Sequence, residues 1–278
     1  MTGEEAPGTG TGTAGQLPFD NTVAHQARVY DYLLGGKDNY AADRAAVEAW
    51  LKADPSLAFI ARSNRAFLGR VVRFLAAEAG IRQFLDLGTG IPTAGNTHEV
   101  AQAIAPESRV VYVDYDPVVL AHARALLNSH EAGATAYIDA DLRDTGKILA
   151  EAGELLDFSQ PVAVSLLAIL HAVPDSDGPY AIAARVMDAV PPGSYLAISH
   201  PGSDLVPPQT LGQMRDITHR MSQQQYTYRA REEVARFFAG TDLVEPGIVR
   251  VEEWRPEPGG TGEAGQSSHV WGGVGRKR

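Results

Sequence analysis

Residues 83–96 read QFLDLGTGIPTAGN, a short apolar run that ends on an acid and then breaks into glycines at 88, 90 and 95. Phe84 and Leu85 followed by Asp86-Leu87-Gly88-Thr89-Gly90 describe a buried strand turning sharply into a helix. Glycine suits such a turn because it enters φ > 0 without a Cβ penalty and lets a ligand approach the backbone closely. A nucleotide phosphate, a dinucleotide and an adenosyl group can each use a turn of this kind. The surrounding residues choose between them.

Outward from this turn the chain keeps one rhythm. Apolar runs of strand length follow at 109–114, 134–139, 161–170 and 194–200. Amphipathic segments lie between them, each with a start signal. Asn96 or Thr97 precedes one, with Glu99 placed as a capping-box acid. Asp116-Pro117 opens the next, whose Val119, Leu120, Ala123, Leu126 and Leu127 form a stripe. Asp175 is placed to cap a third, which carries Ile182, Val186 and Met187. Strands alternating with helices at this spacing predict right-handed βαβ units and an α/β fold with a doubly wound, mostly parallel sheet.

Upstream, residues 21–80 are helical in pattern. Asp54-Pro55 reads as an N-cap with proline at the first helical position. Phe67, Leu68, Val71, Val72 and Leu75 recur on one helical face, and Gly80 supplies the stop. Downstream, residues 231–239 read as a helix closed by Gly240. Two strand-like runs follow, 247–254 and 269–274, joined by a Pro/Gly/Ser-rich loop. Strands joined without a helix pair antiparallel, so a C-terminal antiparallel hairpin is expected. Residues 1–18 read as a low-complexity, disordered tail. The expected divisions are that tail, a helical extension or lid at 19–80, and a ligand-binding domain at 81–278.

The 278 residues are 44% hydrophobic and 21% charged, as in an ordinary globular protein with a sizeable core. The formal charge of −10, with no basic run before Arg276-Lys277-Arg278, argues against nucleic acid as a partner. The absence of cysteine removes disulfides, thiolate zinc sites and a cysteine nucleophile. The histidines show no paired metal spacing. The first residues lack the apolar core of a secretory signal, and the longest apolar stretch, Val162–Leu170, is far short of the ~20 residues a membrane span needs. A cytoplasmic protein that does not enter a membrane is the expectation.

A Walker loop requires lysine and a hydroxyl after its last glycine, whereas Gly95 is followed by Asn96-Thr97. A dinucleotide fingerprint requires a third small residue where this chain has Thr93. Asp86 before the glycines can accept from loop amides or meet a ligand ammonium, which suits the zwitterion S-adenosylmethionine better than an anionic pyrophosphate. Asp114 ends the next run, where a carboxylate can take both ribose hydroxyls. Asp141 ends the one after, placed to accept from the adenine amine while Leu142 donates its backbone N–H to a ring nitrogen. Three acids at successive strand ends line one edge of a parallel sheet, where ligands bind in such folds.

Asp86–Gly90, Asp114 and Asp141 are arranged as in class I S-adenosylmethionine-dependent methyltransferases. The segments ARVYDYLLGGKDNYAADRAA (27–46), FLDLGTGIPTAGNTHEVAQ (84–102), VVYVDYDPVVLAHARALL (110–127) and PVAVSLLAILHAVPD (161–175) narrow the match. With VEPGIVRVEEWRP near the end, they resemble the actinobacterial methyltransferase family long catalogued as a domain of unknown function. The resemblance spans about residues 20–276 of the sequence, with Leu87 standing where isoleucine is commoner and Ala94 where polar residues are frequent. It implies a Rossmann-like sheet of seven strands, the last antiparallel, and a cofactor held by Asp86, Gly88, Thr89, Gly90, Asp114, Tyr115, Asp141 and Leu142. It brings no acceptor with it; a small molecule is the expectation.

Other residues carry open readings. Residues 27–46 are either a lid hinged at Gly35-Gly36 or a packed helical hairpin. Arg65 either meets the cofactor's methionine carboxylate as a guanidinium fork or lies on a solvated helix face. His171 and His200 follow the fourth and fifth strands, where an imidazole can deprotonate an acceptor hydroxyl, His171 being the better placed. Methyl transfer needs a base only where the nucleophile carries a proton, because alignment supplies much of the acceleration. The competing readings are a nicotinamide-dependent oxidoreductase and a non-catalytic adenosyl-binding module.

Overall fold

The computed structural model describes residues 19–126, 130–222, 226–257 and 266–278. The expected tail at 1–18 and Leu127 of the predicted stripe lie outside them. Eight strands form one sheet: β1 (Gln83–Leu87), β2 (Arg109–Asp114), β3 (Ala134–Asp139), β4 (Ala163–Leu167), β5 (Tyr195–Pro201), β6 (Thr241–Leu243), β7 (Val249–Arg250) and β8 (Val270–Lys277). Their order is β3-β2-β1-β4-β5-β8-β6, with β7 also on β8. The first five run parallel, and β8 returns antiparallel beside β5, with Ala197 opposite Val274. The order reverses between β1 and β4, so a crevice opens at the carboxyl ends of those two strands.

Among the described residues nine α-helices accompany these strands: α1 (Gln26–Leu33), α2 (Ala41–Ala53), α3 (Leu57–Arg73), α4 (Thr97–Ile104), α5 (Pro117–Leu126), α6 (Thr145–Ala152), α7 (Pro179–Asp188), α8 (Pro208–Ser222) and α9 (Arg231–Ala235). Both faces of the central strands β1 and β2 are buried, which is why they read as continuous apolar runs, while β3 at the edge is half-buried. Leu85, Val111 and Val113 pack with Ile148 of α6 and Val186 of α7 on one face. Phe84, Val110 and Tyr112 pack with Phe67 and Val71 of α3 on the other. The apolar stripe of α3 is buried as its spacing predicts, and Gly80 ends the segment at φ +70°.

Local chemistry explains the starts that were read correctly. Glu99 Oε2 accepts from the Asn96 amide at 3.1 Å, and Asp116 Oδ1 from the Val118 amide at 2.8 Å. Other starts differ. Asp54 closes α2 rather than capping α3, its carboxylate turned onto Ser56. Asp175 lies on a short 3-10 turn, and α7 begins only after Gly178, whose φ is +66°. The predicted strand 247–254 shrinks to β7, because Val251 and Trp254 leave the ladder to be buried against Phe67 and Phe74. The antiparallel pairing therefore falls mainly on β8 with β5 and β6, and both β6 and α8 are absent from the sequence reading.

Candidate active site

Asp86 lies within β1 and is 5% exposed. Its carboxylate receives hydroxyls rather than the loop amides expected: Thr97 Oγ1 donates to Oδ2 at 2.7 Å and Ser165 Oγ to Oδ1 at 2.8 Å. Burial raises its pKa, against those two hydroxyls and the Arg65 charge. The loop amides turn to β2 instead. Gly88 N donates to Val113 O at 2.8 Å, and Gly90 N to Asp114 Oδ2 at 2.8 Å. Asp114 Oδ1 also accepts from Tyr115 N at 2.8 Å and Asp116 N at 3.1 Å. Of about four lone-pair positions on this carboxylate, one on Oδ2 stays open, enough for a single further hydroxyl without rearrangement.

The two glycines differ in what they face. Gly88 has φ +73°, and a Cβ there would stand 2.3 Å from Ile169 Cγ1. Gly90 has φ +69° and nothing within 4 Å of that position, so it leaves bare backbone toward open space. Asp141 accepts from the Arg143 amide and from Arg143 Nη1, both at 2.8 Å, while Arg143 Nε reaches Asp177 at 2.7 Å. Arg65 is neither a solvated cation nor a free fork. Its Nη2 donates to Thr93 O, Ala94 O and Asn96 Oδ1 at 3.2, 3.1 and 2.9 Å, tying α3 to the far limb of the glycine loop.

Beyond β4, Ala168 takes φ +50°, a left-handed conformation rare outside glycine and concentrated at functional sites. Its amide donates to Ser199 Oγ at 2.9 Å, and its carbonyl accepts from Gln26 Nε2 of α1 at 2.7 Å. His171 follows on a 3-10 turn with its Nδ1 buried and without a protein partner. Burial, then the nearby Arg229 charge, holds its pKa down to about 4. His200 is occupied on both nitrogens. Nδ1 donates to Pro201 O at 3.0 Å, and Nε2 accepts from Arg229 Nη1 at 2.8 Å. Arg229, absent from the sequence reading, is wholly buried and also donates to Leu170 O, Val173 O and Asp175 Oδ1 at 3.0, 3.1 and 2.7 Å. It clamps the turn that carries His171.

A cavity of about 270 Å³ gathers these elements. Asp86, Gly88, Thr89, Gly90, Asp114, Tyr115, Asp141, Leu142, Arg65 and His171 all line it. So do Tyr30 of the segment read as a lid or hairpin, Asn64 beside Arg65, and Trp50, Asp54 and His269, which sequence spacing did not connect. Tyr30 Oη donates to Ala61 O at 3.1 Å and accepts from Asn64 Nδ2 at 2.9 Å, leaving Asn64 Oδ1 buried and without a protein partner. The Gly35-Gly36 turn beside Tyr30 is locked: Asp31 Oδ2 accepts from Asp38 N and Asn39 Nδ2, both at 2.9 Å. A Cβ on Gly36 would fall 1.9 Å from the same carboxylate. Among the described residues no three His, Asp or Glu side chains gather as a metal site, and no helix is long and apolar enough to cross a membrane.

Comparison with known proteins bears on the family and the fold. The family described as S-adenosyl methyltransferase matches residues 13–278. A solved DUF574 family protein from Streptomyces avermitilis is 44% identical, with TM-score 0.89, over 93% of this chain and 99% of that one. A solved protein from Thermobifida fusca is 42% identical, with TM-score 0.83, over 93% and 96%. An O-methyltransferase family protein from Burkholderia thailandensis shares the fold at 18% identity and TM-score 0.50, over 81% and 61%. Among proteins of curated function none matches significantly. The match runs over nearly the whole sequence, and the chain belongs to the S-adenosyl methyltransferase family, whose cofactor is S-adenosylmethionine.

Proposed function

We propose that this protein is a cytoplasmic methyltransferase of a small molecule and that the glycine turn, Asp86, Asp114 and Asp141 hold its S-adenosylmethionine. One observation carries the assignment: Asp86 in β1, Asp114 at the end of β2, Asp141 two residues past the end of β3 and the bare backbone at Gly90 line a single cavity. The residues fit the cofactor. Asp114 retains a lone pair for a ribose hydroxyl. Leu142 and Tyr115 border the place for adenine, with Asp141 at its edge. The unpartnered Asn64 Oδ1 and Arg65 Nε are groups that a zwitterionic ligand satisfies.

When bound, S-adenosylmethionine supplies an electrophilic methyl group on a sulfonium. The chain's own part is to align the acceptor, exclude water and manage any proton released. Helices α1 to α3 form the cover, joined to the β4 turn through Gln26 and Ala168. His171, expected as a base, is suited instead to hydrogen-bond an acceptor while neutral, because burial and Arg229 disfavour its protonation. The helical cover over the cavity and the −10 charge favour a small acceptor over nucleic acid.

Calorimetry tests the reading. The wild-type protein should bind S-adenosylmethionine and S-adenosylhomocysteine, and NAD far more weakly. Binding of NAD alone would overturn it.

A further inference from the structure

Asp54 and His269 are distant in sequence and meet on the cavity wall, where β8 begins beside the end of β5. His269 Nδ1 stands 3.1 Å from Asp54 Oδ2. Asp54 is 5% exposed, and its other oxygen accepts from Ser56 N at 2.9 Å and Ser56 Oγ at 2.6 Å. Both carboxylate oxygens are held, so the imidazole is oriented as well. A ring that donates its Nδ1 proton to Asp54 has Nε2 left as an acceptor. Burial alone would raise the Asp54 carboxyl, and the hydrogen bonds from His269 and Ser56 carry it below its ordinary value. The His269 side chain is 24% exposed, which gives its proton a route to water. His171 has none of these features: it is buried, faces Arg229 and has no carboxylate partner.

The cavity that this pair lines is also lined by apolar and aromatic side chains, Trp50, Leu57, Met214, Tyr226 and Val270 among them. Among the described residues that α2, α8, the 226–228 segment and β8 bring to the cavity, none is cationic, and Asp54 at the α2–α3 junction is the one acid. An anionic acceptor would lose its water there beside the Asp54 carboxylate, and Arg215 of α8 stands over the Tyr228 ring without lining the cavity.

We propose that the acceptor is an uncharged, largely aromatic molecule bearing a hydroxyl, and that the Asp54–His269 pair receives the hydroxyl proton during transfer. The proposal rests on the methyltransferase reading and names the substrate class of the same site. The hydroxyl oxygen forms the new C–O bond as the methyl–sulfur bond breaks, and that bond's electron pair stays on sulfur as a neutral thioether. The proton passes to His269 Nε2, Asp54 stabilises the imidazolium, and water removes the proton afterwards. The other titratable groups nearby are Tyr228, whose phenol is held up at about 12 by burial and the Asp54 charge, and Glu252. Both oxygens of Glu252 are taken by the Ser268 amide and hydroxyl.

The test uses 2-naphthol and 2-naphthoate as matched probes on the full-length protein. With S-adenosylhomocysteine bound, 2-naphthol should bind at least about tenfold more tightly than 2-naphthoate. His269→Gln should keep S-adenosylhomocysteine affinity and lower methyl transfer from S-adenosylmethionine to 2-naphthol by about 100-fold. The loss should shrink as pH approaches the pKa of the phenol. Asp54→Asn, which retains an acceptor for Ser56, should lose less and shift the rate–pH curve. Naphthoate preferred or bound equally, naphthol unbound or unmethylated, or turnover unchanged in His269→Gln overturns the proposal. Failure of the wild-type protein to bind S-adenosylhomocysteine would instead strike the cofactor reading.

Discussion

The part of the cavity under β1 to β3 is made of backbone turns and the acids immediately beside them. The part over β4, β5 and β8 is made of side chains from α2, α3, the turn after β4, the segment after α8 and the start of β8. In the first, an acid and a glycine a few residues apart are already neighbours, because a strand and its turn are local structures. In the second, Trp50, His171 and His269 become neighbours only when the sheet order and the helical cover are complete. On the proposed reading the first region would hold the cofactor, and the second would set the acceptor through its side chains.

Gly88→Ala should produce the largest effect on this contrast. Its Cβ would overlap Ile169 at a φ of +73°. Overpacking and left-handed strain together cost about 2–5 kcal/mol, measurable as a fall in the urea midpoint. Gly90→Ala, with open space at the same point, should cost only about 1–2 kcal/mol. Equal losses would mean that the two glycines do not divide the roles of packing and ligand access.

The acceptor side should respond to pH. His171 has a folded pKa of about 4, below the ordinary histidine value, so the unfolded chain binds the extra proton first as pH falls. Its contribution is intact above about pH 6.5 and is lost between there and about pH 4. Across that window the wild-type protein should lose roughly 1.4 kcal/mol per pH unit relative to His171→Gln. Parallel stability curves for the two proteins would show that His171 is not held neutral.

Asp114→Ala should lower S-adenosylhomocysteine affinity at least about tenfold, since a hydrogen bond to a charged acceptor contributes ~1.5–3 kcal/mol. It also releases the Gly90 amide, so circular dichroism should confirm that the fold remains. Unchanged affinity by calorimetry removes Asp114 from the site. The smallest effect is kinetic. Amides of residues 27–46 should exchange more slowly with cofactor bound, and by more than those of 247–254. Identical exchange would make α1 and its locked turn scaffold rather than cover.

Strands β1, β2 and β3 were legible to the residue because apolar runs, β-branched residues and flanking turn signals are all local. Helix α8 was not. Its buried face, Leu211, Met214, Thr218 and Ser222, includes two polar residues whose hydroxyls are satisfied by the Met214 and Thr218 carbonyls, both at 2.8 Å. Strand β6, three residues long, exists because β8 offers it an edge. Arg229 stood in a polar run with no periodicity to suggest that it would be buried under four hydrogen bonds.

Taken alone, the amino-acid sequence determined the parallel sheet and the glycine turn, which are local structures, and through its resemblance to a known family the cofactor class. Only the tertiary structure decided what each polar group does. Asp86 went to Thr97 and Ser165, Arg65 to the loop carbonyls, and His200 to Arg229. The His171 Nδ1 was left without a protein partner, and His269 was delivered to Asp54. The reason is physical. Strand and turn formation is governed by near-neighbour sterics and apolar patterning, whereas a buried polar atom takes whichever partner the finished fold places within about 3 Å.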